Sequence, residues 1–328
     1  MRYIIYGAGG IGGAVGGRLL QRGYEVVLIC RGEQLTAVQR RGLTLKTPAD
    51  TLQLPVRAVG HPRELSFTSS DVVILTMKSQ DTESALRDLE RAGGGEVPVV
   101  CCQNGVDNER MAARRFPRVY GMVVWVPATY LEPGVVVNHA TPVGGILDAG
   151  CYPHGVDPLI TRVTADLTAG GFSARPDPHL MRWKYTKLLS NLYNALQAIC
   201  GLEARGGDFA RAVRQEALAC YRAAGIDFVP EDEMRQRVQA EVKLAAVAGH
   251  SRTGGSTWQS LTRGLSSIEV DFLNGEIVLL GKLHGIPTPC NRLLQTVANH
   301  TARTGQRPGS MSVEELQGML SESGGSHS

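Results

Sequence analysis

The feature that most constrains this chain lies six residues from its first methionine. Gly7-Ala8-Gly9-Gly10-Ile11-Gly12 is a G-x-G-x-x-G run, set directly behind the apolar segment Arg2–Tyr6 and opening a segment rich in small residues that ends at Gly23. Glycines in this pattern permit a tight turn and a close approach of backbone to a pyrophosphate. The helix that follows offers free N–H groups and the positive end of its dipole. A glycine-rich turn alone is common. Between a strand and a helix, with a second strand Glu25–Cys30 following on schedule, it predicts dinucleotide binding by Gly7, Ala8, Gly9, Gly10, Ile11 and Gly12.

The first half of the chain repeats this texture. Arg2–Tyr6, Glu25–Cys30, Asp71–Met77 and Val97–Cys102 are short and apolar nearly throughout, as strands covered on both faces should be. Gly10–Arg22 and Asp81–Arg91 carry helical patterns between them. Strand alternating with helix predicts an α/β fold with a Rossmann-type, doubly wound parallel sheet. Val119–Val126 and Gly134–Asn138 are expected as later strands, joined by a turn at Glu132-Pro133-Gly134. From about His179 the periodicity becomes helical over Leu180–Cys200, Asp208–Ala224, Glu231–Ala248, Thr257–His284 and Asn291–Thr304. The expected organisation is therefore a dinucleotide domain over residues 1–177, an all-α domain over 178–318, and an unordered polar tail over 319–328.

Bulk properties narrow the partners. The length of 328 residues supports two cores, and the net charge of +3 comes from scattered lysines and arginines. Neither a nucleic-acid footprint nor a membrane-surface patch is present. The longest apolar runs fall far short of the ~20 residues that span a bilayer. The chain begins directly in a strand with no signal-peptide pattern, and its seven cysteines show no spacing suited to a metal. These features predict a cytoplasmic protein with reduced thiols, no metal, and a small-molecule partner. They leave the oligomeric state open, with a homodimer as one alternative.

The end of the second strand bears on which dinucleotide is bound. An NAD site usually places Asp or Glu there to hold the ribose 2′-hydroxyl. This chain reads Ile29-Cys30-Arg31-Gly32, and the Arg31 guanidinium suits a 2′-phosphate. NADP(H) is the expected cofactor. Farther along, Lys184, Lys187, Asn191 and Asn194 fall within one arc of about 80° on an otherwise apolar helix. Such a stripe either faces water or lines a site. A lysine in an apolar cleft has its pKa drawn toward neutrality, which suits a general acid.

With these segments in order, the chain resembles the ketopantoate (2-dehydropantoate) reductase family from Met1 to about Thr304. The resemblance rests on the glycine loop, Thr76-Met77-Lys78-Ser79-Gln80, Cys102-Gln103-Asn104-Gly105, the Lys-x3-Asn pair Lys187 and Asn191, Gly255-Ser256-Thr257-Trp258, Ser267–Gly275 and His284–Pro289. It implies an NADPH-dependent oxidoreductase that reduces a 2-oxo acid to a 2-hydroxy acid, in pantothenate synthesis if the usual substrate holds. It further implies that Lys78, Gln80, Asn104 and the backbone near Ala128 line the nicotinamide end of the cofactor. Lys187 would be the general acid, Asn191 and Asn194 substrate ligands, Ser256 or Thr257 the carboxylate ligand, and Glu269 a cleft residue. Ser256 or Thr257 could equally serve as an N-cap, with Gln259 closing a capping box.

The chain also departs from the family pattern. Trp183 stands four residues before Lys187 rather than two, Asn194 follows Asn191 by three rather than four, Ala195 stands where an amide is expected, and Leu261 where an acid is expected. These changes predict weaker recognition of ketopantoate's hydroxyl and a preference for a less polar or aromatic oxo acid. Alternative readings are a reductase of a bulkier oxo acid or imine, as in opine dehydrogenases, and a catalytically silent NADP(H)-binding protein.

Overall fold

The computed structural model describes residues 1–250 and 254–324. Two compact units divide them, one of residues 1–184 with 229–250, the other of 185–228 with 254–324. The division falls inside a helix shortly after the expected join at 177/178, and the first unit takes back a later segment.

The strands are β1 (Arg2–Tyr6), β2 (Glu25–Ile29), β3 (Leu43–Lys46), β4 (Thr51–Leu54), β5 (Arg57–Val59), β6 (Asp71–Leu75) and β7 (Val99–Cys101). They continue as β8 (Val119–Met122), β9 (Ala128–Glu132), β10 (Val135–Asn138), β11 (Ala140–Pro142), β12 (Ala149–Cys151) and β13 (Val242–Leu244). The first helices are α1 (Gly10–Gln21), α2 (Gly32–Arg41), α3 (Thr82–Leu89), α4 (Asn108–Ala113), α5 (Pro158–Ala169) and α6 (Leu180–Asn191). After them come α7 (Tyr193–Cys200), α8 (Gly207–Ala223), α9 (Glu231–Glu241), α10 (Ser256–Thr262), α11 (Asn274–His284), α12 (Pro289–Thr304) and α13 (Val313–Gly324).

The main sheet has seven strands in the order β12-β8-β7-β6-β1-β2-β5. All pair in parallel except the edge strand β12, which runs antiparallel to β8. Strand order reverses about β1, so the carboxyl ends of β1 and β6 flank the crevice where such sheets bind ligands. Every residue of β6 is buried, which explains why these strands read as continuous apolar runs.

A second sheet, β4-β3-β10-β9, covers the other side of α1; of its strands only β10 was expected, as Gly134–Asn138, and the sheet itself was not. Sandwiched between two sheets, α1 has no room for a side chain at the four positions where it faces them most closely. A Cβ on Gly12 would collide with Thr76 and the Gly7 carbonyl, and one on Gly16 would lie 3.0 Å from Leu28 of the main sheet. A Cβ on Gly13 would collide with Val136, and one on Gly17 would lie 3.1 Å from Leu45 of the second sheet. Four interior glycines cost helix propensity of about 1 kcal/mol each relative to alanine, and the close packing of both layers offsets it.

The second unit contains helices and no strand among its described residues, as expected of the C-terminal half. Three expectations need correction. The helix predicted over Glu231–Ala248 stops at Glu241, and Val242–Leu244 pairs antiparallel with β11 in the first unit. Thr257–His284 is not one helix, because Gly264 adopts φ +69° and the chain restarts through a 3-10 turn, Glu269–Phe272, before α11. The tail expected to lack order is helical as far as Gly324, since Ser312 and Glu315 exchange capping hydrogen bonds and Leu316 is fully buried. The rest of that tail lies outside the described residues. None of the helices among them is long and apolar enough to cross a membrane.

Candidate active site

At the end of β1 the chain turns through Gly7, whose φ of +106° an L side chain would resist, and α1 begins at Gly10. The first turn of α1 contains no acidic residue, and its N-cap Gly9 offers no side-chain partner. The Gly9 N–H turns back to the Gly7 carbonyl at 2.7 Å, and no cap side chain competes with an anion for the N–H groups of the first turn. A Cβ on Gly9 would meet nothing within 4 Å, so the space in front of the loop is open. Gly7, Ala8 and Gly9 line a cleft of roughly 210 Å³ together with Tyr6, Arg31 and Tyr130. No carboxylate stands at the end of β2, where Cys30 is buried with its thiol pushed up to about 11. These features fit a dinucleotide, with the pyrophosphate at the loop and Arg31 near the ribose end.

Two side chains hold the loop. Thr76 Oγ1 donates to the Gly7 carbonyl at 2.8 Å, tying β6 to the loop. Buried Gln34 donates to the Ala8 carbonyl at 2.8 Å and accepts the Gly134 N–H at 2.6 Å, joining loop, α2 and the β9–β10 turn. Sequence reading missed Gln34. Its only signal was a polar residue three past Arg31 in an amphipathic helix. Ala128 lies beside the start of α1, its carbonyl 3.6 Å from where a Gly10 Cβ would stand.

The next two strand ends form one network. Lys78 caps a short turn, Ser79–Asp81, that carries Gln80. Gln103 donates to the Met77 carbonyl at 3.0 Å and to Thr82 Oγ1 at 2.8 Å, and Asn108 donates to Ser79 Oγ and to the Asn104 carbonyl. Lys78, Gln80 and Asn104 are thus gathered at the carboxyl end of the sheet, on the edge that carries the glycine loop.

Lys184 departs from the stripe expected on α6. It is 3% exposed, its ammonium pairs with the fully buried carboxylate of Glu109 on α4, and it donates to the Gln103 carbonyl at 3.1 Å. Burial raises the Glu109 carboxyl above its ordinary range, and the adjacent lysine pulls it back. Glu109 carried no sequence signal, because only the fold brings α4 under α6.

The remaining stripe residues belong to the second unit. Lys187 is half-buried, Asn191 is 3% exposed and Asn194 is 7% exposed, so the stripe does not face water. The Asn191 amide nitrogen is buried without a hydrogen-bond partner. The single helix predicted over Leu180–Cys200 is interrupted at Leu192, whose carbonyl accepts from Asn274. Ser256 is the first residue of α10 and Gly255 its N-cap, so the alternative capping box does not form. The Ser256 hydroxyl is left buried without a partner, and Thr257 is buried beside it in sequence. Glu269 is buried in the turn before α11. Leu261 packs as a core residue. Gln197 and Arg205 also converge on Gly255, and sequence reading missed both.

Over most of its length the chain is similar to proteins of one family. The family model described as ketopantoate reductase PanE/ApbA matches residues 3–153, and that of its C-terminal part matches residues 179–302. A 2-dehydropantoate 2-reductase of Pyrococcus horikoshii is 29% identical over 304 residues, covering 90% of this chain and 95% of that protein. One of Archaeoglobus fulgidus is 29% identical, covering 89% and 95%. Among solved structures, a PanE/ApbA family ketopantoate reductase from Ralstonia eutropha JMP134 is 30% identical with a TM-score of 0.78, covering 94% of this chain and all of that one. D-mandelate dehydrogenase, solved with NADH and anilino(oxo)acetate, shares the fold at 20% identity and a TM-score of 0.78, covering 93% and 99%.

Proposed function

The chain belongs to the ketopantoate reductase PanE/ApbA family, and from that premise we propose that it reduces a 2-oxo acid, ketopantoate in the family's reaction, to the 2-hydroxy acid with NADPH. The observation that carries the reading is a pair of buried polar atoms, one on the stripe and one at the start of α10, that folding leaves without partners. An unpaired buried amide costs about 1–3 kcal/mol, and a substrate hydrogen bond would remove that penalty. Asn191 has such an amide nitrogen, and Ser256 has a buried hydroxyl in the same state.

In this reading Gly7–Gly12 hold the pyrophosphate and Arg31 the 2′-phosphate, with Lys78, Gln80, Asn104 and Ala128 toward the nicotinamide. The bound cofactor supplies hydride to the carbonyl carbon. Lys187 gives its proton to the carbonyl oxygen as negative charge develops there, and Asn191 steadies that lysine or the substrate. Ser256 or Thr257 donates a hydroxyl hydrogen bond to the carboxylate, Asn194 is a further substrate ligand, and Glu269 belongs near the nicotinamide ribose. The setting is cytoplasmic, the partner a small molecule rather than nucleic acid or membrane, and the assembly a single chain or a homodimer.

NADPH oxidation at 340 nm with a panel of 2-oxo acids tests this. Turnover of at least one, with NADPH favoured over NADH, is expected. Tight NADPH binding with no turnover of any would leave a cofactor-binding protein and overturn the proposal.

A further inference from the structure

The polar cluster around Gly255 lies wholly in the second unit and orients two amides. Gln197 Oε1 accepts the Gly255 N–H at 2.8 Å and an Arg205 guanidinium N–H at 3.1 Å. The same guanidinium nitrogen reaches Asn194 Oδ1 at 3.5 Å. A guanidinium and a backbone N–H are donors only, so each can face only the oxygen of an amide. That settles which way both amides point, a choice otherwise open for Asn and Gln. Their NH₂ groups are turned away from Arg205, and no protein acceptor among the described residues faces either one. The cluster is also closed to a side chain at its centre, since a Cβ on Gly255 would stand 3.0 Å from both amide oxygens.

We propose that Arg205 is a positioning residue that presents the Asn194 and Gln197 NH₂ groups as paired donors, selecting 2-oxo acids with an acceptor, such as a hydroxyl, on the distal carbon. Gln197, about one turn past Asn194, then supplies a second amide beside it in place of the one missing at Ala195. The expected preference for an aromatic or less polar oxo acid is thereby reversed. The inference rests on the proposed reductase activity and assigns the polar end of its substrate. Arg205 also suits this role by charge. It has no acidic partner among its hydrogen bonds, and desolvation lowers its pKa, so its strongest links are the neutral amide oxygens.

Ketopantoate and 3,3-dimethyl-2-oxobutanoate, which lacks only the hydroxyl, provide the test. Wild-type enzyme should favour ketopantoate in kcat/KM by about tenfold, the value of one good hydrogen bond. Arg205→Ala should shrink that ratio to about twofold, through KM rather than kcat, and Arg205→Lys should recover part of it. A merely structural arginine would lower activity on both substrates equally, and that result would overturn the inference. So would a wild-type ratio near one. If wild-type enzyme turns over neither substrate nor any other 2-oxo acid, the proposed function falls and this inference with it. If it turns them over but Arg205→Ala leaves the ratio unchanged, only this inference falls.

Discussion

In the loop at Gly7–Gly12 the groups offered to a ligand are backbone N–H groups, whereas along α6 and α7 they are side chains. The loop is held from behind by Thr76 and Gln34, and its glycines are demanded by the two sheets that press on α1. A site of that kind depends on local geometry and on the absence of side chains. The α6–α7 stripe depends on what each polar group meets after folding. Lys184 and Lys187 are one helical turn apart, yet one is sealed into an ion pair with Glu109 and the other remains half-buried. Neighbours in sequence and alike in chemistry, they differ in burial, and the carboxylate that α4 supplies to Lys184 is what seals it.

The sharpest way to break this comparison is to delete each lysine. Lys187→Ala should lower kcat by about 10²–10⁴, the usual worth of a general acid, while the Kd for NADPH stays within a few-fold. If Lys184→Ala instead gives the larger loss of kcat in folded protein, the roles assigned along the helix are reversed.

Lys184→Met should act on stability. It strands a fully buried carboxylate, and removing one partner of such a pair costs about 3–5 kcal/mol. The sign of its pH dependence follows from Glu109, whose carboxyl is raised above its ordinary value in the folded protein. A raised carboxyl favours the protonated form, so its contribution is fully present below the unfolded pKa of about 4.3 and is lost as pH rises through the folded value. Without Lys184 the folded value climbs further and the loss extends to higher pH. The Tm of Lys184→Met should therefore fall more steeply than that of wild type between pH 5 and 8, and adding Glu109→Gln should flatten the curve. Parallel Tm profiles for wild type and variant would contradict the buried pair.

The smallest effect is expected at the cofactor. Arg31→Ala should weaken NADPH binding by about 10–150-fold, equivalent to one charge-assisted hydrogen bond of about 1.5–3 kcal/mol, and leave NADH nearly untouched. Equal losses for both dinucleotides, measured by fluorescence titration, would remove Arg31 from the 2′-phosphate.

Local chemistry made much of this protein readable from its residues alone. The strand–glycine loop–helix at the N-terminus, the buried parallel strands and the change to helices after His179 all depend on short-range pattern, and all appear in the structure. Of the second sheet only Gly134–Asn138 was read as a strand, while the hairpin of Leu43–Lys46 and Thr51–Leu54, which turns where Asp50 N–H donates to Thr47 Oγ1, was not. Only tertiary structure decided the rest. Val242–Leu244 becomes a strand because β11 is there to pair with it, 100 residues away in sequence. Lys184 is withdrawn from the polar stripe by Glu109, 75 residues away. Gln197 joins Asn194 because the Arg205 guanidinium donates to both amide oxygens and the Gly255 N–H to that of Gln197. Helical periodicity states which residues share a face but not what that face meets. For a buried polar group that partner sets both its energy and its chemistry.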